Sequence, residues 1–135
     1  MRRRAPGISL AVLVTALAIA PSAGAHSTGT PEQISWVRRA AGNFIAAELS
    51  GSGAGACGVL DARLRGGNCE THWNGRLATM LRHASVRAGL RADRRAVLRA
   101  TVHVHGNTAT IQLPSPLLAG ESRFLWTEMC WMLER

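Results

Sequence analysis

The chain contains 135 residues, among them 16 arginines, no lysine, no tyrosine and eight acidic residues, and its formal net charge is +8. A chain of this length forms one domain with one modest core, which excludes several independent domains. Aromatic residues make up 4% of the chain and do not alternate with the arginines, so specific recognition of nucleic acid by base stacking is not expected.

The first 25 residues show the three parts of a secretory signal. Residues 1–4 are positive, residues 8–20 form an uncharged apolar run, and residues 23–25 are small. The apolar run has 13 residues, whereas a helix needs about 20 to cross a bilayer. We therefore predict cleavage after Ala25 and export across the cytoplasmic membrane.

The mature domain is expected to comprise residues 26–135, with a net charge of +5 from 13 arginines and eight acids. It has no predicted membrane span, although a retained anchor at residues 8–20 is the alternative. A lipid anchor is not expected, because the first cysteine is Cys57. The preference for arginine, alanine and glycine over lysine and tyrosine is typical of a GC-rich bacterial genome.

Three helices are predicted in the first half of the mature domain. Thr30, Pro31 and Gln33 indicate the start of the first, because a capping threonine precedes proline and a glutamine follows three residues after the cap. Its apolar residues repeat with helical spacing and are Ile34, Val37, Ala41, Phe44, Ile45 and Leu49. Residues 50–53 alternate serine and glycine and end this helix.

The second and third helices are shorter and are separated by a break at residues 65–68. The second carries Cys57, Leu60 and Leu64 on one face. The third is expected to begin after Asn68 and to bury Trp73, Leu77, Met80, Leu81 and Ala84. Its polar side comprises His72, Arg76, Thr79 and His83.

Cys57 and Cys69 lie 12 residues apart across this break, whereas Cys130 is distant. Because export allows disulfide formation, we predict a disulfide between Cys57 and Cys69. Three buried thiols are the alternative, and Cys130 is either a half-buried residue or a bridge to a partner chain. No Cys-x-x-Cys pair is present, so no structural zinc site is predicted.

A stripe of arginines spaced by four follows the third helix. It consists of Arg87, Arg91, Arg95 and Arg99, which would share one face of a helical segment. Such a stripe predicts binding to phosphates of an anionic envelope polymer or to lipid headgroups. The alternative is a solvated basic linker in which Asp93 is an exposed acid.

The second half of the mature domain changes to a two-residue period with strong turn signals. A hairpin about Gly106 and Asn107 pairs Val104 with Ala109, Val102 with Ile111 and His103 with Thr110. A second hairpin about residues 128–129 pairs Trp126 with Trp131 and Phe124 with Leu133. We therefore predict an α+β fold in which three N-terminal helices pack on a curved, four-stranded antiparallel sheet.

Several segments together resemble a known superfamily. They are residues 36–44, residues 53–57 leading to Leu60, residues 66–69, the hairpin at residues 101–113, and the terminal strand with Trp131 and Leu133. In these the chain resembles small secreted bacterial members of the nuclear-transport-factor-2-like (SnoaL-like) superfamily, which includes ketosteroid isomerase. The resemblance implies a single cone-shaped α+β domain over residues 26–135, and a fold alone does not assign an activity.

The catalytic groups of the enzymatic members do not carry over to this sequence. Ketosteroid isomerase uses an aspartate base with a tyrosine and a protonated carboxylic acid, and this chain has no tyrosine. Asp61, close to Arg63 and Arg65, is interpreted as a solvated surface acid. A SnoaL-like acid–base reaction has only His72, His83 or Asp61 to offer. We therefore predict no catalytic residues and no cofactor, and a SnoaL-like acid–base enzyme is the less favoured alternative.

The favoured hypothesis is an apolar cavity in the cone that binds a small apolar ligand. The residues expected to line it are Trp36, Phe44, Trp73, Leu77, Trp126 and Trp131. The alternative is that they form a packed core.

The outer sheet face is a further candidate surface. His103 and His105 share it, and Thr108, Thr110 and Gln112 opposite them are poor metal ligands, so no metal is predicted. This face, with Leu125, Cys130 and Met132 adding apolar area, is instead the expected interface of a homodimer or a contact for a protein partner.

Overall fold

The computed structural model describes residues 26–61, 65–115, 121–127 and 130–134. From residue 121 onward it describes the backbone and the side chains of Phe124, Met132 and Leu133. The predicted signal segment and the predicted turn at residues 128–129 lie outside these ranges. Within them, no helix is both long enough and apolar enough to span a membrane.

The described residues form four α-helices before the sheet, so the prediction of three helices is wrong. They are α1 (Pro31–Ser50), α2 (Gly53–Val59), α3 (Cys69–Met80) and α4 (Ala84–Ala96), and a 3-10 turn follows at Val97–Arg99. The additional helix, α4, is the segment that carries most of the arginine stripe. It is rich in alanine and arginine, which are among the strongest helix formers, and only Leu90 and Asp93 are buried along its length.

Helix α1 begins as predicted. The Thr30 hydroxyl accepts a hydrogen bond from the Gln33 backbone N–H (3.1 Å), and the Gln33 side chain accepts one from the Thr30 N–H (2.9 Å). This reciprocal capping box satisfies donors that the first helical turn leaves without partners. Gly51, at a φ of +71°, ends the helix in the left-handed conformation that glycine adopts without steric cost.

Helices α2 and α3 are joined covalently and through close backbone packing. The predicted disulfide between Cys57 and Cys69 is present, with the two Cα atoms 6.1 Å apart. The Gly53 N–H donates to the Asn74 side-chain oxygen (2.8 Å), and a Cβ atom at Gly53 would lie 2.4 Å from the Glu70 carbonyl oxygen. The start of α2 therefore lies directly against the backbone of α3.

The strands are β1 (Val102–His105), β2 (Thr108–Gln112), β3 (Glu121–Thr127) and β4 (Cys130–Glu134). They pair antiparallel in chain order. The predicted partners in both hairpins are confirmed, among them Val102 with Ile111 and Phe124 with Leu133. The α+β class is confirmed by these strands together with the helices.

Each outer edge of the sheet carries one short parallel bridge. Thr28 pairs with His103 at the β1 edge, and Leu60 pairs with Leu133 at the β4 edge. At the second edge the Asp61 N–H also donates to the Leu133 carbonyl (3.0 Å). Segments from outside the sheet thus occupy backbone groups that an edge strand would otherwise expose.

The core lies between α1, α3 and one face of the sheet. Its buried members include Val37, Phe44, Leu77, Ile111 and Phe124. The Phe44 and Trp73 rings meet edge to face, with centroids 5.5 Å apart and planes at 87°, a favoured arrangement for aromatic pairs.

Candidate anion-binding groove

The helix α4 places the predicted arginine stripe on the protein surface. Arg91 and Arg95 on α4, and Arg99 in the 3-10 turn, are exposed. Arg87 differs, because it is half-buried and its guanidinium donates to the Leu81 carbonyl at the end of α3. Three of the four predicted anion-binding residues are therefore exposed, and the fourth joins two helices.

Two of these arginines border an open groove of about 620 Å³ between the C-terminal half of α4 and the end of β2. Its lining comprises Ala92, Arg95, Ala96, Arg99, Ala100, Thr101, Gln112, Leu113 and Pro114. Five of these nine residues are alanine, leucine or proline, so the groove combines an apolar surface with two guanidinium groups.

The walls of the groove are held by hydrogen bonds. Arg38 on α1 donates two hydrogen bonds to the Ala100 carbonyl, from Nε (3.0 Å) and Nη2 (2.8 Å). The Gln112 N–H donates to the Thr101 carbonyl (3.0 Å). These contacts fix the chain between the 3-10 turn and β1, and with it the distance between the two walls.

The groove has a positive electrostatic character. No acidic side chain is among its lining residues, and within the described part of the chain neither Arg95 nor Arg99 forms a hydrogen bond or an ion pair. An arginine without a protein partner can present its planar fork to a carboxylate or phosphate. The two cations also lie near the end of α4, where the helix dipole favours positive charge.

Asp93 is buried behind this surface. It is 0% exposed, its Oδ1 accepts a hydrogen bond from the Ser115 N–H (2.8 Å), and its Oδ2 has no partner in the described structure. Burial raises the pKa of the Asp93 carboxyl above its ordinary value of 3.8, and the bond from Ser115 opposes that change. The prediction that Asp93 is an exposed acid is wrong, because Leu90, Asp93 and Val97 are spaced along one helical face that packs inward.

Replacing Asp93 by asparagine is expected to remove a pH dependence of stability. Because the folded state holds this proton more tightly than the unfolded chain, ionisation of Asp93 destabilises the fold. Its contribution to stability is present at acidic pH and is lost as pH rises from the unfolded-state pKa through the raised folded-state pKa. Asparagine retains an acceptor for Ser115, so the variant should gain in melting temperature relative to wild type above this window and lose that advantage below it.

Melting temperatures measured from pH 3 to pH 8 test this expectation. Asp93→Ala is the matched control, because it removes the charge and also the acceptor for Ser115, and it should melt at a lower temperature than Asp93→Asn at every pH. A wild type and Asp93→Asn pair whose difference does not vary with pH would contradict the argument.

The residues predicted to line an apolar cavity fall into three groups. Phe44, Trp73 and Leu77 are buried in one packed cluster, whereas Trp36 is half-buried at its margin. Trp126 and Trp131 are Cα partners across β3 and β4, and their side chains lie outside the described residues.

Trp73 also borders an opening on the surface. A notch of about 330 Å³ lies beside the disulfide and is lined by Gly66, Gly67, Asn68, Cys69, His72 and Trp73. The Arg76 guanidinium carbon lies 5.3 Å from the centroid of the Trp73 ring, within the range of a cation–π interaction. One candidate ligand-binding residue, itself only 5% exposed, therefore borders an opening on the surface.

The three acid–base candidates are placed on separate elements. His72 on α3 and His83 before α4 are exposed, as predicted. Asp61 is only 4% exposed, so its interpretation as a surface acid is wrong. It is buried because the backbone at Leu60 and Asp61 pairs with β4. Glu48, in the last turn of α1 and four residues after Phe44, is a second buried acid, and no sequence pattern indicated its burial.

The outer sheet face has a mixed character. His103 is half-buried and His105 is exposed. Met132 lies on the same face yet is only 9% exposed, so its predicted contribution to an apolar dimer surface is small. Side chains of Leu125 and Cys130 lie outside the described residues. Across the described ranges, no three histidine, cysteine, aspartate or glutamate side chains cluster as a metal site.

The fold and this site together define a small α+β domain with a basic, partly apolar groove. No protein-family model, curated protein or solved structure matches the chain.

Proposed function

We propose that the chain is an exported, non-enzymatic binding domain that takes an amphiphilic anion in the groove between α4 and β2. The observation that carries this proposal is the pairing of Arg95 and Arg99, neither bonded within the described structure, with an apolar lining that contains no acid. Anion binding by the groove follows from the hypothesis for the arginine stripe. Export is inferred from the predicted signal segment.

The chemistry of the groove favours a ligand with two parts. Two guanidinium groups bind a carboxylate or phosphate through charge-assisted hydrogen bonds, which are stronger than neutral ones. Ala96, Leu113 and Pro114 offer apolar surface on which an alkyl or aryl group loses contact with water. A simple inorganic anion would leave that surface unused, and a neutral apolar compound would leave both arginines unused.

Replacing both Arg95 and Arg99 by glutamine is expected to weaken binding of decyl phosphate by at least about tenfold, since a hydrogen bond to a charged group contributes roughly 1.5 to 3 kcal/mol. Calorimetric titration below the micellar concentration measures the affinity. Binding by the wild type should weaken as salt is added, because these arginines are exposed.

Arg94→Gln is the matched control, because Arg94 is an exposed arginine of α4 that does not line the groove. Decanol and inorganic phosphate separate the apolar and anionic contributions. Equal affinity of wild type and the double variant for decyl phosphate would refute the proposal that the groove binds this anion. Binding of polyphosphate that depends equally on Arg91 and Arg94 would instead support an anionic envelope polymer lying along the exposed face of α4.

A second candidate function is binding of a small apolar ligand in a cone-shaped cavity. Four helices before an antiparallel meander, with α1 against the sheet, support the nuclear-transport-factor-2-like cone, and the notch at Trp73 supports access to it. Tryptophan emission should then change and saturate on titration with naphthalene. Tryptophan emission that does not change when naphthalene is added would count against the cavity.

A homodimer through the outer sheet face is the third part of the proposal. Its support is the row of polar residues His103, Thr108 and Thr110, whose registers place them on the face opposite the core. Light scattering of the purified protein over a range of concentrations distinguishes a dimer from a monomer.

A further inference from the structure

The residues that follow the predicted cleavage site are attached to the outer edge of β1. The Thr28 N–H donates to the Val102 carbonyl (2.8 Å), and the Val104 N–H donates to the Thr28 carbonyl (2.9 Å). The Val102 N–H donates to the Ser27 hydroxyl (3.0 Å). The described chain is therefore fixed against β1 from its second residue onward, with Thr28 directly opposite His103.

A side-chain contact orients the His103 ring. The Thr28 hydroxyl oxygen and His103 Nδ1 lie 3.3 Å apart. In the tautomer in which Nδ1–H donates to the Thr28 hydroxyl, Nε2 of His103 keeps the lone pair that a metal requires. The residue is half-buried, so the ring is supported and still reached from solvent.

An extended chain before Thr28 would place His26 opposite Thr101, two residues before His103 on the same side of the β1 edge. Side chains two residues apart in an extended chain lie on the same side, and a rise of about 3.3 Å per residue puts His26 roughly 7 Å along the chain from Thr28. The His26 side chain is exposed. Cleavage after Ala25 would make His26 the first residue, and its α-amine and its own imidazole Nδ1 can then chelate one metal ion.

We propose that the mature chain binds one copper(II) ion through the α-amine and imidazole of His26 and Nε2 of His103. This proposal rests on cleavage after Ala25 and not on the groove function. Three nitrogen donors with open positions suit the tetragonal geometry of copper(II), which also heads the divalent affinity series. Zinc commonly has three or four protein side-chain ligands in a tetrahedral arrangement.

The terminal amine explains why a side-chain pattern did not indicate this site. A His-x-His pair at His103 and His105 lacks a third side-chain ligand, and no cluster of three metal-binding side chains occurs in the described ranges. The third donor is a backbone nitrogen created by processing. In the parallel bridge His105 lies beyond His103 on the side away from His26, so it takes no part.

The test uses protein that has been exported and processed by a bacterial host, with its first residue determined by mass spectrometry. Titration with copper(II) chloride at pH 7.4 should give one bound ion, and its electron paramagnetic resonance spectrum should show three nitrogen donors. His103→Asn should weaken binding, measured against a competing chelator, by about tenfold or more. His26→Ala should weaken it at least as much.

His105→Asn is the matched control and should bind copper as wild type does. Thr28→Val keeps all three donors and removes the contact to His103, so it should weaken binding less than His103→Asn. Melting temperatures of the metal-free variants show that each is folded. A mature chain that begins elsewhere than His26, or a His103→Asn variant with wild-type affinity and spectrum, would overturn the proposal.

Discussion

Replacing Cys57 by alanine is expected to lower the free energy of unfolding by about 3 kcal/mol under oxidising conditions. The disulfide to Cys69 closes a loop across 12 positions of sequence, and closing a loop of this size in the unfolded chain restricts its entropy by roughly that amount. The loss is large because a domain of this size has a total stability of only about 5 to 15 kcal/mol. Denaturation by guanidinium chloride measures the change.

The double variant Cys57→Ala, Cys69→Ala serves as a control for exchange with Cys130. Wild type and the double variant should differ under oxidising conditions and become similar once a reductant has opened the disulfide. If the difference persists unchanged in the reductant, the loss comes from packing at the buried Cys57 position rather than from the crosslink.

Replacing Leu77 by alanine is expected to lower the free energy of unfolding by about 2 to 5 kcal/mol. Leu77 on α3 is 0% exposed and belongs to the cluster that contains Phe44 and Trp73. Removing its side chain leaves a cavity among residues that are held by neighbouring helices, so the space cannot close fully. Thermal and chemical denaturation measure the effect.

The matched substitution Leu77→Trp distinguishes a packed core from an open cavity at this position. In a packed core the larger ring forces its neighbours apart and costs roughly 1 to 3 kcal/mol. If the site is an open cavity, the ring fills it, stability is retained and binding of naphthalene is lost. A stable Leu77→Trp variant would thus contradict the expected packing and favour the second candidate function.

Local sequence signals predicted local structure well. The capping box at Thr30 and Gln33 depends on residues three apart, and the registers of both hairpins depend on alternation about a turn. The disulfide between Cys57 and Cys69 likewise follows from two cysteines on either side of one break. In each case the decisive residues are neighbours along the chain.

Helix α4 was missed because its apolar face is short and contains an acid. Leu90 and Val97 lie on the buried side of the helix. Because the acid Asp93 lies between them on that side, the apolar residues do not repeat with a recognisable helical spacing. The arginines on the other side were recognised as a stripe, but a stripe alone fits a solvated linker equally well.

The groove, the burial of Asp61 and the position of Thr28 depend on contacts between distant segments. The groove forms where the end of α4 meets the end of β2, and Asp61 is covered because its backbone pairs with Leu133. A single sequence carries no periodic or turn signal for such contacts, so only the chemistry of the arginines could be predicted, and not the apolar wall beside them.

The bridge between Thr28 and His103 has a consequence for the order in which the chain folds. It joins residues 75 positions apart, and such a contact requires closure of a long loop before it contributes any stability. The helices α1 to α3 use contacts that are much closer in sequence, among them the caps of α1 and α2 and the disulfide between α2 and α3. We therefore expect them to form early, while the first residues of the mature chain reach their final position only after β1 has been completed.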